Sequence, residues 1–193
     1  MRDIDVRHSL KAGALKEHEA QPDTLVLDEL GLEHGQVFVD IAVINGEIHG
    51  YEIKSDSDTL ERLPHQVLAY SAALDRATLV AGGRHVERVS ALIPPWWGLS
   101  VAVKGPKSRV VVEQLRPAEV NPAPVALAIA KLLWRDEALS LLERLDEAKG
   151  LRSKPRLTLY KKLVEVLPLK ALRDEVRSQL KARTRWRADA QRT

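Results

Sequence analysis

The chain has 193 residues, 45% of them hydrophobic, and a formal net charge of +3, which suits one domain with a buried core, alone or with a small appendage. It contains no cysteine, which excludes disulfides and thiolate metal sites and fits a reducing compartment. No run of about 18 uncharged apolar residues occurs, and MRDIDVR carries four charges in seven residues; neither a membrane span nor a signal peptide is expected, and the chain reads as soluble and cytoplasmic.

In chain order, Ile4, Val6, Leu10 and Leu15 predict an imperfect helix from Ile4 to Glu19, ended by Pro22. TLVLDEL then leads to Gly31 and Gly35, which bracket the turn into the first strand. VFVDIAVI and EIHGYEIKS flank Asn45-Gly46, the signature of an antiparallel hairpin. A two-residue turn there would pair Ile44 with Glu47 and put Asp40 and Glu52 on opposite faces. A three-residue loop of Ile44, Asn45 and Gly46, with Gly46 in the left-handed region, instead pairs Val43 with Glu47 and Phe38 with Glu52. Asp40, Glu52 and Lys54 then share one face. The second register is the expectation.

Asp58 and Glu61 stand three apart, as in a helix-capping pair, and Pro64 starts or kinks a helix that continues through Leu74. Within it Gln66 and Tyr70 lie one turn apart on one face. Ala77 to Ala81 reads as a buried strand reached by a right-handed crossover, hence parallel in the sheet. His85 is either incidental or a phosphate contact. Ser90 to Ile93 is a further strand candidate. Trp96 and Trp97 suit either base stacking or the core, and the core is expected for at least one of them. Val101 to Val103 and Arg109 to Leu115 predict a second hairpin, whose turn carries Lys104 and Lys107 as candidate DNA contacts.

Asn121-Pro122-Ala123-Pro124 separates an α/β core, residues 1–120, from a helical region, residues 121–193. Apolar spacings of three and four predict helices over Val125–Trp134, Glu137–Ala148, Leu157–Leu167 and Leu169–Arg183. Residues 150–193 hold 13 Lys and Arg against 4 acidic residues, leaving 17 against 23 in the rest. This basic end suits nucleic-acid phosphates, or is a solvated helical face. Arg183, Arg185 and Arg187 around Trp186 are the candidate contacts, and the helical region is also a candidate for pairing two copies.

The residue types at the hairpin carry the functional expectation. Asp40 and Glu52 are oxygen donors for a hard cation such as Mg2+ or Mn2+, which is commonly held by one or two carboxylates with waters and substrate phosphate. Lys54, two positions from Glu52 on the same strand face, is placed to orient an attacking water or to offset charge developing on phosphorus.

Asp40 followed by Glu52-Ile53-Lys54 resembles the Asp…(Asp/Glu)-x-Lys pattern of the PD-(D/E)XK nuclease superfamily. Gln66-Val67-Leu68-Ala69-Tyr70 is similar to the Gln-x-x-x-Tyr element of its RecB-like branch. The runs VDIAVING, GYEIKSDSDTLERLPHQ and IPPWWGL resemble a family of bacterial and phage proteins named after an sce-series locus tag. Val39 stands where a literal Pro-Asp would have proline. The resemblance implies a restriction-endonuclease-like α/β core with a mixed sheet flanked by helices, and a Mg2+- or Mn2+-dependent nuclease acting on DNA. It implies Glu29, Asp40 and Glu52 as metal ligands, Lys54 at the attacking water, and Gln66 and Tyr70 in support; Glu29 would come from a helix preceding the first strand. The alternative is a catalytically inactive nucleic-acid-binding or protein-interaction module on the same fold.

Overall fold

The computed structural model describes residues 1–106 and 109–184. Lys107, Arg185, Trp186 and Arg187 lie outside the described residues. A single sheet has six strands in the order β1 (Leu25–Leu32), β2 (Val37–Ile44), β3 (Ile48–Lys54), β4 (Arg76–Gly82), β5 (Gly98–Lys104) and β6 (Val110–Arg116). β1, β2 and β3 form an antiparallel meander, β3, β4 and β5 are parallel, and β6 returns antiparallel to β5. The mixed sheet flanked by helices is the fold class expected from the sequence.

One sheet face is covered by α3 (Leu63–Ala73) and by the C-terminal helices α5 (Ala126–Ala130), α6 (Arg135–Arg144), α7 (Arg156–Val166) and α8 (Leu169–Ala182). The other face is covered by α1 (Asp3–Ala12), whose Val6 and Leu10 pack on Ile41, Val43, Ile53 and Val80. The N-terminal helix is shorter than expected. Gly13 leaves helical geometry and its N–H closes α1 on the Ser9 carbonyl at 3.0 Å, and only the single turn α2 (Lys16–Glu19) follows.

β1 is the element the sequence concealed. Leu25 and Leu27 face the larger core, but so do Leu30 and Leu32, so the alternation slips by one residue at Glu29. Glu29 has φ +59°, in the left-handed region. β2 slips at the same level: Val37 and Val39 face the larger core, then Ala42 and Ile44, with Asp40 between. The strands stay in register on both sides, Leu30 opposite Val39 and Asp28 opposite Ile41. A three-residue apolar spacing imitates a helix, which is why TLVLDEL does not read as a strand.

Two further expectations are corrected. Ser90 to Ile93 is not a strand: Val89 and Ile93, four apart, are both buried, ending α4 (Val86–Ser90) and the turn after it. The helix expected over Val125–Trp134 is α-helical only to Ala130, and Leu132 and Leu133 are buried in tighter turns beyond it. The segment at Asn121 is a seam inside one core, which runs unbroken from Leu30 to Leu180. The buried Asn121 amide donates to the carbonyls of Ser71 and Leu74 at 2.7 and 2.8 Å, and Val125 N–H donates to Ala72, satisfying carbonyls left open at the end of α3. Among the described residues no helix is long and apolar enough to cross a membrane.

Candidate functional site

The hairpin loop is three residues long, as expected, but begins one residue later. Ile44 pairs with Ile48 and Ile41 with Tyr51, so the loop is Asn45-Gly46-Glu47. Asn45 N–H donates to the Glu47 carbonyl at 3.0 Å, and the Asn45 side chain accepts from Glu47 N–H at 3.2 Å. Gly46 is not in the left-handed region, because the Asn45 side chain closes the loop in its place. The expected pairs Val43–Glu47 and Phe38–Glu52 are each displaced by two residues, which preserves parity. Asp40 therefore lies level with the β3 segment carrying Glu52, and its Oδ2 accepts from Ile53 N–H at 2.7 Å. The bulge expected at Gly46 does not form; the apolar alternation of β2 slips at Asp40, opposite the left-handed Glu29, with the register kept on both sides.

Glu52 and Lys54 point together toward α3, as the two-residue strand period requires. Glu52 Oε1 accepts from Lys54 Nζ at 2.5 Å and from Gln66 Nε2 at 2.6 Å, and Oε2 accepts from the Tyr70 hydroxyl. Glu52 is 1% exposed and Lys54 5%. The Tyr70 hydroxyl also lies 3.0 Å from the Phe38 carbonyl; its one proton serves one acceptor at a time, and the shorter contact is to Glu52. Burial and the Glu52 charge hold the phenol well above its ordinary pKa, so it stays a donor. The helical pair Gln66 and Tyr70 thus brackets Glu52.

Asp40 lies at the rim of the same cleft, of about 300 Å³, lined also by Glu52, Lys54, Asp58, Arg62, His65 and Gln66. Its outer oxygen faces Arg7 of α1 at 3.3 Å, while Arg7 Nη1 donates to the Asp40 carbonyl at 2.5 Å and to Asp28 at 3.1 Å. Burial works against the Arg7 charge, but Asp40, Asp3 and Asp28 outweigh it and raise its pKa. Burial, followed by the nearby Glu52 charge, pushes the Asp40 carboxyl up to about 7 despite the Ile53 N–H and Arg7.

That shift predicts a pH-dependent stability. The folded pKa lies above the ordinary 3.8, so the stabilisation from protonated Asp40 is fully present below about pH 4 and is lost as pH rises through 7, on the order of 2–4 kcal/mol in all. In metal-free buffer, urea midpoints of wild type should fall across this window relative to those of Asp40→Asn, which cannot ionise. Parallel pH profiles for the two proteins would contradict the shift.

The other candidates fall elsewhere. Glu29 is on β1 rather than on a helix, and its side chain lines a second cleft with His34, Phe38, Lys131 and Trp134. Asp28, the neighbour of Glu29 and an alternative acidic donor in the same segment, is paired to Arg7 and Lys11. Asp58 accepts from the Ser55 N–H and hydroxyl at 2.7 and 2.6 Å, capping a turn rather than the helix, which starts at Leu63. His85 is buried, so it does not reach out to a phosphate. Trp97 is fully buried, stacked on Tyr70 with its indole N–H on Ser71, and Trp96 packs beside it; both are core. Lys104 ends β5, exposed, away from the cleft. Arg183 is buried over Trp134 at 4.5 Å and donates to Glu137 and the Leu132 carbonyl, which occupies the guanidinium expected to contact nucleic acid. Lys107, Arg185 and Arg187 lie outside the described residues.

Among the described residues no three His, Cys, Asp or Glu side chains are grouped to hold a metal ion, so Glu29 does not complete a three-carboxylate cage. Asp40 and Glu52 nevertheless retain acceptor capacity. Asp40 receives two hydrogen bonds and Glu52 three, against about four lone-pair positions on a carboxylate. Their mutual repulsion also leaves negative charge that a cation relieves. The donor set fits Mg2+ or Mn2+ held by two carboxylates and completed by water and phosphate.

Comparison with known proteins bears on this chain as a whole. The profile of the family described as Bacteriophage P4 protein cII matches residues 10–191. The chain belongs to that family. Protein cII of Enterobacteria phage P4 is 29% identical over 68 residues, which is 35% of this chain and 26% of that protein; the match thus spans about a quarter of the relative's length. No solved structure matches. The phage affiliation expected from the sequence is met at the level of this cII family.

Two residues of this cII-family chain escaped the sequence reading. Arg7 carried a faint signal, since Asp3, Arg7 and Lys11 recur every four residues along α1, flanking the buried Val6 and Leu10, but no spacing links it to Asp40, 33 positions away. Phe38 gave no signal beyond its apolarity, and it is 48% exposed.

Proposed function

We propose that this chain is a metal-dependent nuclease that hydrolyses DNA phosphodiester bonds, with a site of the PD-(D/E)XK type. The observation that carries the reading is that Asp40, Glu52, Lys54 and Gln66 line one cleft, with Tyr70 hydrogen-bonded to Glu52 at its floor. Asp40 and Glu52 would hold Mg2+ or Mn2+. When bound, the ion supplies Lewis acidity to a phosphoryl oxygen and acidity to a coordinated water. Gln66 and Tyr70 fix the Glu52 carboxylate so that it need not reorganise. Lys54 spends one N–H on Glu52 and keeps two donors for a water or a non-bridging phosphoryl oxygen. Arg7 holds Asp40 at the cleft rim.

The test is cleavage of labelled DNA by purified protein with Mn2+ or Mg2+. Lys54→Ala should lower the rate by about 10²–10³, and its thermal midpoint, lowered because the buried Glu52 loses its counter-charge and keeps only Gln66 and Tyr70 as donors, checks that it is folded at the assay temperature. Equal background from wild type and Lys54→Ala defeats the enzyme reading.

One observation favours a second reading, a nucleic-acid-binding or protein-interaction module without catalysis. Lys54 is nearly buried and ion-paired to Glu52, and the Asp40 carboxylate is already ion-paired to Arg7. Salt-sensitive DNA binding with no Mg2+ occupancy by calorimetry would favour that module over the nuclease.

A further inference from the structure

We infer that Phe38 is a stacking ledge for an unpaired nucleobase, making single-stranded nucleic acid the substrate class of the cleft. The inference rests on the reading that this site binds nucleic acid, and not on whether it cuts. Phe38 is the one phenylalanine of the chain, and it is 48% exposed on a strand whose neighbouring positions Val37 and Val39 are buried. It lines both the cleft of Asp40, Glu52 and Lys54 and the adjoining cleft of Glu29, His34 and Lys131. Its backbone is tied to the site, because the Tyr70 hydroxyl that contacts Glu52 lies 3.0 Å from the Phe38 carbonyl.

The ring is about half exposed and rests in part on backbone. Its outer edge lies over Gly31 and Gly35, where a Cβ would sit 3.6 and 3.5 Å from ring carbons. Gly35 has φ +85°, so the turn places a residue without a side chain beneath the ring. The surroundings do not suit a protein partner. Leu30, Leu132 and Leu133 behind the ring are buried, and Gln36, Glu29 and His34 beside it are polar. The ring therefore does not extend into an apolar patch of interface size. Lys54 and Arg62 stand in one cleft and Lys131 in the other, among the carboxylates of Asp40, Asp58 and Glu29, and the phosphates flanking a stacked base would run past these cations. A base inside a duplex has both faces covered, so a single ring at a cleft rim selects an unstacked one.

The test is fluorescence anisotropy in EDTA with a labelled oligothymidine and with the same strand annealed to its complement, using wild type, Phe38→Ala and Phe38→Trp. Phe38→Ala should bind the single strand about tenfold more weakly and the duplex within about twofold of wild type, while Phe38→Trp keeps single-strand binding. Thermal melts check that the variants fold, which the exposure of the ring favours. Equal single-strand affinity for wild type and Phe38→Ala overturns the ledge, as does equal loss on both substrates or the absence of any binding by wild type. If wild type cuts nothing yet Phe38→Ala still loses the single strand, the ledge stands and the hydrolase falls; cleavage lost in Lys54→Ala with binding unchanged in Phe38→Ala gives the reverse.

Discussion

Glu52→Ala should destabilise the protein by about 3–5 kcal/mol, because it strands the Lys54 ammonium in a nearly closed site. The Lys54 side chain is 6% exposed and Glu52 1%. Removing the carboxylate also deprives the Gln66 amide and the Tyr70 hydroxyl of their acceptor, and each buried donor left unmade adds its own desolvation cost. A buried pair replaced as a whole behaves differently, since the desolvation of both charges is relieved together. Glu52→Leu combined with Lys54→Met should therefore cost less than Glu52→Ala alone, a non-additivity expected of groups in direct contact. Urea midpoints of the two variants at neutral pH provide the measurement. A single-variant loss under about 1 kcal/mol, or a double variant worse than the single, would mean that the pair does not carry this energy. The consequence for function is practical: a Glu52 or a Lys54 variant that loses activity can do so by unfolding, so each loss is read beside the thermal midpoint of the same variant.

Asp75→Ala should cost about 3 kcal/mol or more and loosen α8 from the sheet. Asp75 lies between α3 and β4 and is 7% exposed. One carboxylate oxygen lies 2.5 Å from Arg173; the other accepts from Ile48 N–H at 2.7 Å and lies 3.8 Å from Arg177. Both arginines are on α8, so this carboxylate joins the C-terminal region to the start of β3. Removing it leaves two like charges facing each other and an unpaired backbone N–H. Asp75→Asn separates the contributions, because its carbonyl can still accept from Ile48 while its charge is gone. Hydrogen exchange should rise across α8 in Asp75→Ala and less in Asp75→Asn. Unchanged α8 protection in Asp75→Ala would show that packing of Leu172, Val176 and Leu180 alone holds the helix.

Legibility in the sequence followed the reach of each interaction. The β2–β3 hairpin, α3, the parallel β4, the β5–β6 hairpin and α7 and α8 each carry a period or turn signal within about a dozen residues, and all occur within a few residues of their expected positions. So does the triplet Glu52-Ile53-Lys54, since two residues apart on a strand must share a face. β1 failed because the left-handed Glu29 breaks its alternation, and that break makes sense only beside the matching slip at Asp40. Trp96 and Trp97 suited base stacking or the core, with the core expected for at least one; Tyr70 stacked on Trp97, with Trp96 against Trp97, places both there. Arg183 read as a free cation until Glu137 and Trp134 were found around it.

The sequence by itself determined which segments are strands and helices wherever the apolar period is unbroken, the mixed α/β class, and the pairing of Glu52 with Lys54 on one face. Only the tertiary structure decided that Asp40 joins them, that Glu29 turns into a different cleft, that Arg7 pairs with Asp40 from another helix, and that residues 121–184 share the core of the sheet. The physical reason is range. Periodicity and turn chemistry are properties of neighbouring residues, whereas the partner of a carboxylate depends on strand register and on contacts between residues dozens of positions apart, which local pattern does not encode.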